Sequence, residues 1–162
     1  MRRQRQSGFS LVELLIVVAI ILIVAAVAVP NLLRARMSAN EASAIASMRT
    51  IITSEIVYSS TYTVGFSADL RSLGDGGVAS NCVPPQIPAA SSACLIDNLL
   101  AGGTKSGYTF SYSALGGAVN SAYSLNADPV AAVSGQRHFF SDATHVLRVN
   151  TTAPASSSDP PL

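Results

Sequence analysis

Glu13 is the only ionisable residue between Phe9 and Leu33, a stretch otherwise made almost entirely of apolar side chains. An acid at the middle of a bilayer costs roughly 2.5–3.5 kcal/mol on insertion scales. A retained carboxylate in such a setting needs a partner that satisfies it, whereas a segment meant only to insert and be discarded has no use for one. The second pair with chemistry open to it is Cys82 and Cys94, which enclose eleven residues that include Pro84-Pro85. A disulfide, metal ligation and two free thiols are the alternatives. No histidine or third cysteine lies close in sequence, and in an exported domain oxidising conditions favour the bond. A loop of that size stabilises a fold by on the order of 3 kcal/mol in the chain-entropy model.

The remaining candidates are weaker. His138 and His145 lie seven residues apart in strand-like sequence, with no acid–serine arrangement nearby, and are read as surface or packing histidines. Asp128 and Asp142 are candidate calcium ligands, but calcium takes six to eight oxygens and no ligand spacing surrounds them, so turn capping is the plainer role. Gly102-Gly103-Thr104-Lys105-Ser106-Gly107 places a Lys-Ser pair in a glycine-rich turn, yet lacks the glycine before lysine that a phosphate-binding loop requires. Asn150-Thr151-Thr152 fits a glycosylation triplet in a chain rich in hydroxyl residues. None of this adds up to an enzyme, and no cofactor is expected.

Whatever Glu13 does, an apolar element must hold it. The chain has 162 residues, enough for one domain, with 49% apolar and only 12% charged residues against a norm of roughly 25% charged. Ten basic and nine acidic residues leave a formal charge of +1. That excludes the concentrated basic surplus of a nucleic-acid binder and the apolar-poor composition of a disordered chain. Phe9–Val29 contains 19 apolar residues in 21, and about 20 such residues cross a bilayer core as a helix. With three arginines ahead of it, the positive-inside bias places the first residues in the cytoplasm and the chain beyond about Pro30 outside. A secretory signal released after Ala28, at Ala26-Val27-Ala28, would leave a soluble secreted domain. Glu13 argues against that.

Gly8-Phe9-Ser10-Leu11-Val12-Glu13-Leu14-Leu15, preceded by the arginine-rich leader and followed by an unbroken apolar run, resembles the N-terminal signature of bacterial type IV prepilins and the related pseudopilins of type II secretion. The match covers about residues 2–35. It implies removal of a leader, residues 1–8, by a membrane aspartic peptidase that cuts between Gly8 and Phe9. Gly8 suits the cut because it has no side chain. Methylation of the new Phe9 amine would follow. Loss of the leader removes three arginines and leaves seven basic against nine acidic side chains, a formal charge of −2. Assembly would pair Glu13 of one subunit with the Phe9 amine of its neighbour. Pro30, before Asn31-Leu32-Leu33, falls where such proteins carry a helix-kinking proline.

The partners so implied are further copies in a helical filament, the inner membrane, the prepilin peptidase/methyltransferase, an assembly ATPase and a platform protein, together with minor pilins and a secretin; no nucleic acid is expected. The filament would serve adhesion, motility or DNA uptake, or, in a pseudopilin, protein secretion. The cysteine pair leans toward a pilin. The chain would sit in the inner membrane before assembly and in a periplasmic or extracellular filament afterwards.

Beyond Pro30, Ala42, Ile45, Met48, Ile52 and Ile56 recur at helical spacing, with Arg34, Arg36, Asn40, Glu41, Ser47 and Thr50 on other faces. The expectation is an α+β, type IV pilin-like fold. A helix over residues 9–60, roughly 78 Å long at 1.5 Å per residue, has an apolar half (9–33) and an amphipathic half packed on a small antiparallel sheet. The head spans 61–162. A single helical turn is expected at Leu70–Leu73, and three or four strands within 105–150: Tyr108–Ser113, Ala122–Ala127, His138–Ser141 and His145–Val149. Residues 151–162, rich in Ser and Pro, read as a flexible tail.

Overall fold

The structure, a computed structural model, describes residues 9–117 and 119–162. The leader, Gly8 included, lies outside the described residues. Helix α1 runs Leu11–Tyr62 and contains Pro30. It starts where Ser10 accepts the Val12 N–H and ends before Thr63, whose φ of 55° is left-handed. The chain forms two compact units, residues 1–36 and 37–162, each described in its own right. In the first, every described residue is exposed except Ala25, which is half-buried. Its most apolar eighteen residues average a hydropathy of 3.2, and none of them is buried.

In the second unit α1 turns one face inward through Ala44, Ser47, Met48, Ile51, Ile52, Ser54, Glu55 and Tyr58. The expected stripe is therefore rotated: Met48 and Ile52 are buried, Ile45 is half-buried, and Ala42 and Ile56 face outward. The buried face admits Ser54, which donates to Leu95 O, and Glu55, which binds Ser67, together with Ser47, expected on another face; apolar spacing alone reveals none of them.

Five strands form one antiparallel sheet in chain order: β1 Thr104–Lys105, β2 Tyr108–Leu115, β3 Ala122–Pro129, β4 His138–Asp142 and β5 Arg148–Asn150. Alternation along β3 buries Tyr123, Leu125 and Ala127, which join Tyr108, Phe110 and Phe139 and the helix face in one core. Two features differ from the sequence-based expectation. The sheet has a fifth strand, β1, too short to show a pattern. The last strand starts at Arg148, because His145 adopts a left-handed φ of 61° and breaks the extended run. Between helix and sheet, α2 (Leu70–Leu73) is capped by Asp69 and α3 (Asn98–Ala101) by Asp97.

Residues 151–162 pack instead of trailing free. Ala155 is buried and its carbonyl accepts the Asn126 side chain at 2.8 Å. Val149 N–H donates to Pro160 O at 3.1 Å and Leu162 N–H to Leu147 O at 2.9 Å. Asp159 gathers Ser156 N–H (2.7 Å) and Asn150 Nδ2 (2.9 Å), while its carbonyl accepts Arg148 Nη1 (2.7 Å). A polar composition hides a segment fixed by its side-chain hydrogen bonds.

Candidate functional site: the N-terminal helix and two polar junctions

At the start of α1, Ser10 is the N-cap: its Oγ accepts the Val12 N–H at 3.3 Å, and its own N–H donates to Glu13 Oε2 at 2.9 Å. The reciprocal arrangement is a capping box, which satisfies donors that a helix N-terminus otherwise leaves unpaired. It also puts a carboxylate at the positive end of the helix dipole. Glu13 is thus held one turn from Phe9, with its charge near the chain end that processing would create. The Ser10-x-x-Glu13 spacing is visible in the sequence, but the apolar run draws attention to Glu13 alone and leaves Ser10 unnoticed. Seventeen residues on, Pro30 has no N–H to give Ala26 O, and α1 continues through it.

The second unit is organised around two polar junctions. At one, Glu55 is completely buried and its two oxygens accept the backbone N–H (2.9 Å) and Oγ–H of the equally buried Ser67. Ser67 O in turn accepts Tyr112 OH at 3.1 Å and Asn120 Nδ2 at 3.3 Å, so a single carboxylate ties the helix to the chain leaving it and to the β2–β3 turn. Gly65 makes this fit possible: its φ is +84°, and a Cβ there would stand 2.3 Å from Asn120 O. Burial pushes the Tyr112 and Tyr123 hydroxyls far above the ordinary tyrosine range, reinforced by the nearby Glu55 charge.

At the other junction, Glu41 receives the Gln136 N–H (2.9 Å) and Arg137 N–H (3.3 Å), and pairs with Arg137 Nε at 2.7 Å. Burial alone would raise the Glu41 pKa; the amides and the guanidinium outweigh it and hold the carboxyl below its ordinary range. Tyr108 OH donates to Arg137 O at 2.9 Å, and burial pushes that hydroxyl up to about 12.

Cys82 and Cys94 are joined in a disulfide with Cα atoms 5.6 Å apart. The other candidates are not brought together into a site. Asp128 pairs with His138 Nδ1 at 2.6 Å, whereas Asp142 folds onto Thr144 N–H at 2.9 Å. The register places Asp142 opposite Ser124 and Phe139 opposite Ala127, so the two aspartates stand roughly four strand positions, about 13 Å, apart. No group of three metal-ligating side chains occurs among the described residues. His145 flanks Phe66 and Tyr123 at ring distances of 6.1 and 6.3 Å. Lys105 pairs with Asp97 at 2.7 Å in the β1–β2 hairpin. Asn150 Nδ2, the atom a glycan would occupy, donates to Asp159 instead.

Residues 3–29 match the family described as the prokaryotic N-terminal methylation motif. A 94-residue region is 41% identical to the type IV wide pilus major component PilA4 of Thermus thermophilus, covering 56% of this chain and 71% of that protein. The chain belongs to the type IV pilin family. No solved structure matches this pilin. Its fold, a long N-terminal helix with a small five-stranded antiparallel sheet, is the type IV pilin-like arrangement expected from the signature. The family is one of structural subunits, anchored in a membrane by the apolar helix before assembly and built into a filament afterwards.

Proposed function

We propose that the chain is a structural subunit of a type IV pilus-like filament. It enters the inner membrane with its N-terminus in the cytoplasm, is cut between Gly8 and Phe9, is N-methylated at Phe9 and polymerises through its N-terminal helix. The observation that carries this is the contrast inside residues 9–36: an apolar helix with nothing buried, carrying one carboxylate in a capping box beside the processing point. Such a surface requires cover from outside the chain, first lipid and then the helices of other copies.

Within that packing the Phe9 amine of one copy and Glu13 of the next attract far more strongly than in water, since the Coulomb energy scales inversely with the local dielectric. The pair recruits the incoming subunit and sets its axial register. Pro30 frees the Ala26 carbonyl and gives the helix a place to bend as it leaves the bilayer. The partners that follow from this role are a prepilin peptidase/methyltransferase, an assembly ATPase and a platform protein.

Filaments sheared from cells and analysed by N-terminal mass spectrometry provide the test. A subunit beginning with N-methylated Phe9 is the expected result; a soluble product beginning at Val29 would overturn it.

A further inference from the structure

Two arginines follow the apolar run of α1 in the first unit. Arg34 and Arg36 are both exposed, and among the described residues neither takes part in an ion pair. From Leu14 to Leu33 no ionisable side chain separates them from Glu13. The 21 positions from Glu13 to Arg34 lie in one helix and span roughly 31 Å at 1.5 Å per residue. The hydrocarbon core of a bilayer is about 30 Å thick. When Glu13 lies level with one headgroup layer, Arg34 therefore lies level with the other. Positions two apart are separated by about 200° around a helix axis, so Arg34 and Arg36 leave α1 on nearly opposite sides, as a collar.

The anion that meets this collar is not one of the chain's own acids. All nine acidic side chains already accept a hydrogen bond inside the chain, so a second copy presents no idle carboxylate. Nor do the arginines serve orientation. In the proposed topology they stand on the outer side, against the bias that collects cations in the cytoplasm. A phospholipid bilayer supplies phosphate at their level on every side of the helix. Guanidinium binds phosphate through two parallel hydrogen bonds. The long arginine stem lies along the apolar layer while the charge reaches the headgroups.

We infer that Arg34 and Arg36 bind phospholipid phosphates and fix the depth at which α1 rests in the bilayer. This rests on the membrane-held stage of the filament reading above and specifies the contact that sets the helix level there. Sliding the helix inward carries two guanidiniums into hydrocarbon, where an unpaired charge is costly. Sliding it outward pulls them from the phosphates and draws Glu13 into hydrocarbon instead. The collar thus holds Glu13 at the inner headgroup layer, level with the cut proposed to free the Phe9 amine.

The test uses the full-length chain in vesicles, so dilute that copies do not meet. The chain has no tryptophan, so Val27→Trp, at an exposed position, gives a single depth reporter read by quenching with lipids brominated at known carbons. In phosphatidylglycerol vesicles, Arg34→Gln with Arg36→Gln lets the outer end sink and is expected to move the reporter toward the bilayer centre by about 3 Å, the rise of two residues. The same shift is expected for the arginine-bearing chain in vesicles of diglucosyl diacylglycerol, whose headgroup has no phosphate. An unmoved reporter in the double variant would overturn the depth stop, and equal depth of the arginine-bearing chain in the two lipids would overturn phosphate as its ligand. A shift that appears only when the chain is concentrated would overturn it too, by assigning the arginines to a contact between copies. Each of these outcomes leaves the filament reading standing. A reporter that no brominated lipid quenches would show the helix outside the bilayer and overturn both readings together.

Discussion

Residues 9–36 and residues 37–162 solve the burial problem in opposite ways. The first stretch is almost wholly apolar and buries essentially nothing within the chain; the second mixes polar and apolar residues and buries a complete core, including a carboxylate. Hydrophobic stabilisation follows area removed from water, so the second unit draws its stability from its own fold and the first from lipid or other copies. In one region the acid, Glu13, accepts the Ser10 N–H and, in the proposed filament, would meet the Phe9 amine of a neighbouring copy. In the other the acid, Glu55, is consumed by a partner inside it. The proposed assembly role and the folding role thus fall on separate carboxylates.

Substitution at Glu13 gives the largest effect. Glu13→Val leaves insertion and leader removal intact and abolishes filament formation, scored by shearing against membrane-fraction controls. Glu13→Gln sharpens the point, because it keeps a capping-box acceptor and loses only the charge. Loss of filaments in both variants assigns the role to the charge, whereas normal yield from Gln would assign it to the cap.

The next effects belong to the second unit, and all five tyrosines lie there, so near-ultraviolet signal from the detergent-solubilised chain reports its unfolding alone. Cys82→Ser with Cys94→Ser lowers stability by about 3 kcal/mol, with no change in the helical content of residues 9–36. Glu55→Ala strips Ser67 of both its acceptors and costs about 2 kcal/mol; destabilisation below a few tenths would show that the junction does not hold the head together. Glu41→Gln is the smallest, about 1 kcal/mol at neutral pH. Because the Glu41 carboxyl is held below its ordinary value of 4.5, its contribution is complete above that pH and is lost as the pH falls through the depressed value. The Gln variant therefore melts with a flatter acid limb than the unsubstituted chain.

How much of this is legible in the sequence differs between the same two regions. The N-terminal signature is legible because its chemistry is local: leader charges, Gly8, Phe9 and Glu13 are adjacent in sequence. Strands β2, β3 and β4 are legible by alternation, and α2 by its closing glycines. The helix face is misjudged from spacing because Ser54 donates to Leu95 O at 3.4 Å, 41 residues away, and Glu55 binds Ser67. Polar residues that look solvent-facing become core once a distant partner exists. Residues 151–162 are misjudged for a related reason, since serine and proline content says nothing about where Asp159 finds its donors.

The packing of those final residues has a consequence for crowding. A sheet's outermost strand ordinarily displays free amides and carbonyls, a template on which a neighbouring strand can anneal. Here Pro160 and Leu162 occupy the outer side of β5, and the residue facing away between them is Pro161, opposite Arg148. Proline has no N–H to offer. The β5 edge of the sheet therefore offers a neighbouring strand no template, and contact at that edge is left to side chains.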